Sequence, residues 1–442
     1  MDHEHPSERS PSPPAEVHPP PGAPPPQRHR ALRALGLGLI TGAADDDCSA
    51  IGTYASAGAK LGPSFLWTAP VTWPMMVTVV YLSAKLGQVA GEGLFAVIRH
   101  YYPRWLLYAT LTGVMLGNTI EAAADLGGMA AALNLLIPLP IPWIVASTAG
   151  LLVVLQLWGS YTLIRNIFRW LALALLAYIP AALLAKPDVW AVLKGTLLPR
   201  LQFTQDSLSL LVAVIGTTLS AYLYTWQSNE EVEEEIAMGR LRLSQRRGAT
   251  DTELRKSWWD IVVGMAFSNV IMYFILLATA STLFPAGQTD INTAAEAAHA
   301  LQPLAGKAAG LLFALGVVGV GFLAVPVMIS GAAYDMCQTF GWKHSLHARP
   351  REAKAFYAVI ILVSLVAVGL NFLGINPMKA LVWSGIVQGF STPPLLLLIM
   401  LMTNNRRIMG EQVNSRALNV LGWITTGAIF AATVGLVISW LL

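Results

Sequence analysis

Charge is scarce in this chain. Asp, Glu, Lys and Arg make up 12% of its 442 residues, about half the roughly 25% of an ordinary soluble protein, so a soluble globular fold is excluded. Cysteine is nearly absent. Cys48 and Cys337 both fall in apolar segments, which argues against a disulfide framework. The formal net charge is only +3, which carries no nucleic-acid signal. No nucleotide loop, nucleophile triad or zinc-protease motif occurs, so neither an enzyme nor a bound cofactor is expected. What remains is 55% hydrophobic, with a mean hydropathy of +0.56. That is the composition of a polytopic membrane protein in a lipid bilayer.

Residues 1–30 stand apart. They are rich in proline, poor in large apolar side chains and without the apolar core of a signal peptide, which predicts a disordered tail. Beyond them, runs of ~20 apolar residues mark spanning helices. Eleven are read, near 32–58, 64–88, 105–137, 141–158, 162–187, 206–236, 254–284, 304–340, 353–373, 377–402 and 415–441. Residues 31–412 thus hold a core of ten helices, and 413–442 an additional one. Basic residues precede the first helix (Arg28, Arg30, Arg33) and follow the second, fourth, sixth, eighth and tenth (for example Arg99, Arg165, Arg240, Lys343 and Arg406). The positive-inside rule therefore places the N-terminal tail in the cytoplasm and the C-terminus outside.

Asp45, Asp46 and Asp47 lie in a row within the first of these helices. A charged Asp facing lipid at a helix centre costs ~3 kcal/mol, so three cost on the order of 9 kcal/mol. Successive helical residues point ~100° apart, so three in a row cannot share one inward face. The helix must break or open to water here. Five helices later, Gly216-Thr217-Thr218-Leu219-Ser220 interrupts another apolar span. Helices one and six would then head two five-helix halves, the pattern of an inverted-repeat transporter with its site between two discontinuous helices.

Several segments resemble the Nramp family of divalent-metal transporters, and more closely a bacterial Nramp-related branch. Asp47-Cys48-Ser49-Ala50, followed by Ala57-Gly58-Ala59, lies where that family carries Asp-Pro-Gly-Asn and Ala-Gly-Ala. Leu82-Ser83-Ala84-Lys85-Leu86-Gly87 and Leu133-Asn134-Leu135-Leu136 match the ends of helices two and three. Asn404-Asn405-Arg406-Arg407-Ile408-Met409-Gly410-Glu411 is close to a family motif after helix ten. The resemblance implies an all-α LeuT-like fold of 5+5 inverted repeats, in the inner membrane of a bacterium, acting as a monomer. It implies a secondary transporter that imports a divalent cation by alternating access.

The departures from the family bear on the ion. Asp47 matches the family's aspartate ligand, but its asparagine falls at Ala50. The family's helix-six methionine falls at Ser220 and its histidine at Tyr222. The implied ligands are therefore Asp47, carbonyls near Ala44 and Thr217, and the hydroxyls of Ser220 and Thr218. Such an oxygen set suits a hard cation, Mg²⁺ or Mn²⁺, as substrate. Asp45 and Asp46 would concentrate cations or hold the unwound segment, with Cys48, Ser49 and Tyr222 in support.

Glu121 and Asp125 are four residues apart, on one face of helix three. They are read either as an ion or proton pathway or as a structural pair, which leaves proton coupling open beside potential-driven uptake. Asn269 matches a family asparagine that would brace the broken helices. Asp335, near a helix end, would reach the cytoplasmic surface. Glu230, Glu231, Glu233, Glu234 and Glu235 read as a solvated helix face. An amino-acid transporter of the same fold, or a cation channel, is the alternative. Three aspartates would repel the carboxylate of an amino acid.

Overall fold

The computed structural model describes residues 37–158, 173–346 and 348–441. The proline-rich tail and Arg28, Arg30, Arg33, Arg165 and Arg169 lie outside the described residues. No strand occurs among the described residues.

The first span is broken where the aspartates required it. Helix α1 (Leu37–Asp45) stops inside the triplet, and α2 (Cys48–Leu61) starts just after it. Asp47 is the N-cap of α2. Its backbone is extended, with φ −65° and ψ −179°, and its side chain accepts the Ala50 N–H. A capping carboxylate satisfies a donor left open at a helix start, so the last aspartate of the triplet begins the second helix two residues after the first ends. A 3₁₀ turn (Gly62–Phe65) and a 115° bend lead into α3 (Thr68–Ala90).

Three helices follow: α4 (Leu94–Tyr101), α5 (Arg104–Asn134) and α6 (Ile141–Trp158). Of the expected fifth span, the described part is a 3₁₀ turn (Leu173–Ala177) and α7 (Tyr178–Leu184). The short α8 (Val189–Leu197) precedes a second broken span. This comprises α9 (Gln205–Thr218) and α10 (Ala221–Ala237), separated by Leu219 and Ser220. The remaining long helices are α11 (Asp251–Thr282), α12 (Ala309–Phe340), α13 (Lys354–Asn371), α14 (Pro377–Thr403) and α15 (Arg416–Leu441). Their starts carry local signals. A Thr250–Glu253 capping box opens α11, and Asn376 followed by Pro377 opens α14. Among the described residues, six stretches are long and apolar enough to cross a membrane, or seven if α2 and α3 form one bent span. Helix α5 is not among them. It turns Asn118, Glu121 and Asp125 wholly inward.

Close helix crossings bring the two breaks together. Helix α1 packs on α11 so tightly that a Cβ on Gly42 would strike the Gly264 carbonyl. Gly216 meets the Gly385 carbonyl of α14 in the same way. In lipid, small residues at a crossing permit the backbone approach that packing requires. Gly216 is therefore a contact point inside an intact helix, and the chain breaks three residues beyond it.

The glutamate run departs from the solvated face expected of it. Glu231, Glu233 and Glu235 are buried, and only Glu234 is exposed. The reason is a set of partners on neighbouring elements. Glu231 accepts hydrogen bonds from Gln88, Gln227 and Ser257. Glu233 accepts from Tyr334 and Ser345, and Glu235 lies 3.5 Å from Arg240.

Candidate cation site

The two breaks meet at a tyrosine. Asp47 Oδ1 accepts the Ala50 N–H at 2.7 Å, which fixes the carboxylate and leaves Oδ2 free to turn toward α10. The Tyr222 hydroxyl lies 3.1 Å from that Oδ2 and 2.8 Å from the Ala44 carbonyl oxygen. Ala44 lies in the last turn of α1, where carbonyls lose their intrahelical partners. One hydroxyl hydrogen thus serves two acceptors. All three residues are completely buried.

Ser220 sits at the second break but faces elsewhere. Its hydroxyl lies 2.9 Å from the Gly216 carbonyl, 3.0 Å from that of Thr217 and 3.0 Å from Glu121 Oε1. It closes the open end of α9 and ties it to α5. The Thr218 hydroxyl pairs with Tyr54 at 2.8 Å, whereas the Thr217 hydroxyl is buried without a partner among the described residues. The structure therefore joins Tyr222 directly to Asp47, and places Ser220 and Thr218 in adjoining contacts.

Helix α5 braces both breaks. Asp125 Oδ1 accepts from the Ser49 N–H at 2.9 Å and the Ser49 hydroxyl at 2.6 Å. Glu121 Oε2 accepts from Gln388 of α14 at 2.6 Å. Asp45 and Asp46 turn to α11, where the Ser268 hydroxyl lies 2.6 Å from Asp45 Oδ2 and 3.1 Å from Asp46 Oδ1. Ser268 was missed in the sequence. Its only signal there is a hydroxyl in mid-span beside Asn269.

Two expected supports point away from the breaks. The Cys48 thiol donates to the Val317 carbonyl of α12 at 3.4 Å, so it is a packed wall. Asn269 donates to Thr72 of α3 at 3.2 Å and lies beside the sulfurs of Met76 and Met272, so it braces helices two and seven. Its place in α11, one residue after Ser268, turns it to the other side of the helix.

The electrostatics are one-sided. Asp45, Asp46, Asp47, Glu121 and Asp125 are each at most 1% exposed. Among the described residues, no Lys, Arg or His lies within ion-pair distance of any of them. Among the described residues, Asp45 Oδ1, Asp46 Oδ2 and Asp125 Oδ2 have no hydrogen-bond partner. Isolated carboxylates are too costly to bury charged, so such a set calls for cations or protons. Among the described residues, no three His, Cys, Asp or Glu side chains converge as a ready-made metal cage. Any ion held here also needs carbonyl, hydroxyl or water oxygens.

The two broken helices around a buried acidic centre define a membrane transporter of the LeuT-like class. Solved structures agree on the fold. A manganese transporter of Eremococcus coleocola matches with a TM-score of 0.68 at 19% identity, over 95% of this chain and 89% of that one. Mhp1, a nucleobase-cation-symport-1 family transporter in a closed conformation, matches with a TM-score of 0.58 at 15% identity, over 92% and 90% of the chains. The chain belongs to the Nramp family, described as natural resistance-associated macrophage protein-like, which matches residues 38–439. It is 28% identical to the divalent metal cation transporter MntH of Deinococcus radiodurans, over 91% of this chain and 88% of that protein. It is also 28% identical to MntH of Bacillus subtilis, over 92% of each.

Proposed function

We propose that this protein imports a hard divalent cation, Mn²⁺ or Mg²⁺, by alternating access between the two broken helices. The observation that carries the reading is the set of five buried carboxylates without a basic partner among the described residues. A divalent cation would offset what the protein leaves unmatched. Asp47 Oδ2 and the Ala44 carbonyl would be the first ligands, reached when the Tyr222 hydroxyl moves aside. The Thr217 carbonyl, Ser220 and Thr218 would join on rearrangement of the second break, and water would fill the remaining positions. Full burial of Asp47, Ala44 and Tyr222 fits an occluded step in such a cycle.

The relatives named MntH and the manganese transporter favour Mn²⁺ within that pair. The donor chemistry favours hard ions over soft ones. No sulfur contacts Asp47 or Ala44 among the described bonds. Cys48 faces Val317, and the Met272 thioether accepts contacts from Thr72, Thr218 and Asn269. The orientation expected from the basic loops directs release toward the face of Lys343, Arg349 and Arg351.

Uptake into proteoliposomes, scanned over Mn²⁺, Mg²⁺, Ca²⁺ and Cd²⁺ with internal pH recorded, tests the reading. Saturable uptake of Mn²⁺ or Mg²⁺, with no preference for Cd²⁺, is expected. Absence of divalent uptake would refute it, and acidification in step with uptake would show that protons travel too.

A further inference from the structure

Asp335 is a charged residue buried away from the two breaks. It lies in the last two turns of α12, is completely buried, and has no hydrogen-bond partner for either carboxylate oxygen among the described residues. Sequence alone suggested that it reaches the surface, and it does not. No Lys, Arg or His lies within ion-pair distance among the described residues. The polar side chain beside it is Thr225 of α10.

Its neighbours are in register. Helices α10 and α12 pack along one another. On α10, Tyr222, Thr225 and Asn229 recur at the spacing of one helix face, and on α12 so do Gly331, Asp335 and Gln338. A Cβ on Gly331 would lie 3.6 Å from the Thr225 hydroxyl, so this face of α12 meets that face of α10. The Thr225 hydroxyl donates to the Tyr222 carbonyl at 3.2 Å. One turn further along, Gln338 donates to Asn229 Oδ1 at 2.6 Å. Beyond that amide pair opens a cavity of about 580 Å³, lined by Asn229, Glu233, Tyr334 and Gln338. A polar stripe therefore runs from Tyr222, at Asp47, to a cavity on the face expected to be cytoplasmic. Asp335 is its one buried carboxylate between the two ends.

We propose that Asp335, with Thr225, is a second station for the transported cation, on a release route between α10 and α12. The proposal rests on the cation-import reading above. A buried carboxylate with no basic partner among the described residues, beside the Thr225 hydroxyl and one helical turn before an amide pair that closes the route, would hold a partly hydrated divalent ion between Asp47 and the cavity. The Asn229–Gln338 pair would be the last barrier to release.

The test uses the full chain, with Mn²⁺ as probe, in two assays: equilibrium binding to purified protein and uptake into proteoliposomes. Asp335→Asn should keep Mn²⁺ affinity at the Asp47 site within about twofold while lowering maximal uptake about tenfold, and Asp335→Glu should restore much of the rate. Thr225→Val, which exchanges the hydroxyl for a methyl group, should lower uptake in the same direction with affinity at the Asp47 site kept. It decides the matter if Asp335→Asn does not fold. Wild-type uptake in Asp335→Asn, or in Thr225→Val where Asp335→Asn is unfolded, would overturn the proposal. So would equal loss of binding and uptake in a folded Asp335→Asn that Glu does not rescue, since that marks a structural role. Failure of the wild type to bind Mn²⁺ would instead sink the cation reading itself.

Discussion

Tyr222→Phe isolates the contact between the two broken helices. The substitution keeps the ring and removes one oxygen, the one lying 2.8 Å from the Ala44 carbonyl and 3.1 Å from Asp47 Oδ2. Both acceptors are fully buried, and among the described residues neither accepts a second side-chain hydrogen bond. Removing one partner of a buried hydrogen bond costs about 1–3 kcal/mol. That cost falls on the unloaded protein, because a bound cation would satisfy the same two oxygens. The variant should therefore melt at a lower temperature without ions. It should also bind Mn²⁺ between about fivefold and about 140-fold more tightly, as each 1.4 kcal/mol is tenfold in affinity. Titration calorimetry on purified protein, with thermal melts at several Mn²⁺ concentrations, reads both effects. A tenfold loss of affinity would refute the reasoning, since it would make the phenol oxygen a ligand that the ion keeps rather than a placeholder that the ion displaces.

Ser268→Ala removes the one hydroxyl placed on both Asp45 and Asp46. A loss of about 1–3 kcal/mol in stability is expected, read by thermal unfolding in detergent, and unchanged stability would show that the pair does not depend on it. Cys48→Ser keeps a donor for the Val317 carbonyl, so Mn²⁺ affinity should change by less than about twofold. A larger change in binding would return the thiol to the site.

The broken first helix was legible because three adjacent carboxylates at membrane depth carry an energetic cost that no straight helix avoids. The second break was legible only to within a few residues. Gly216 drew attention as the weak point, yet its lack of a side chain serves the contact with Gly385, while the backbone opens at Leu219 and Ser220. Which hydroxyl faces Asp47 depends on the rotation of α10 about its axis, and spacing alone does not encode that rotation. Ser220 and Tyr222 are two residues apart, hence on different faces, and the structure turns Tyr222 inward to Asp47. Ser268 was invisible for a similar reason, since a lone serine in a spanning helix more often packs than binds. The glutamate run read as solvated because its partners Gln88, Ser257, and the pair Tyr334 and Ser345 come from three other stretches of chain.

Mn²⁺ uptake by Asp47→Ala, measured beside the wild type in the same proteoliposomes, tests the central claim most directly. Asp47 caps α2, faces Tyr222 and stands beside the open end of α1. The account predicts that uptake falls to the level of empty vesicles while the protein remains folded and monodisperse. Undiminished uptake in the variant would contradict it.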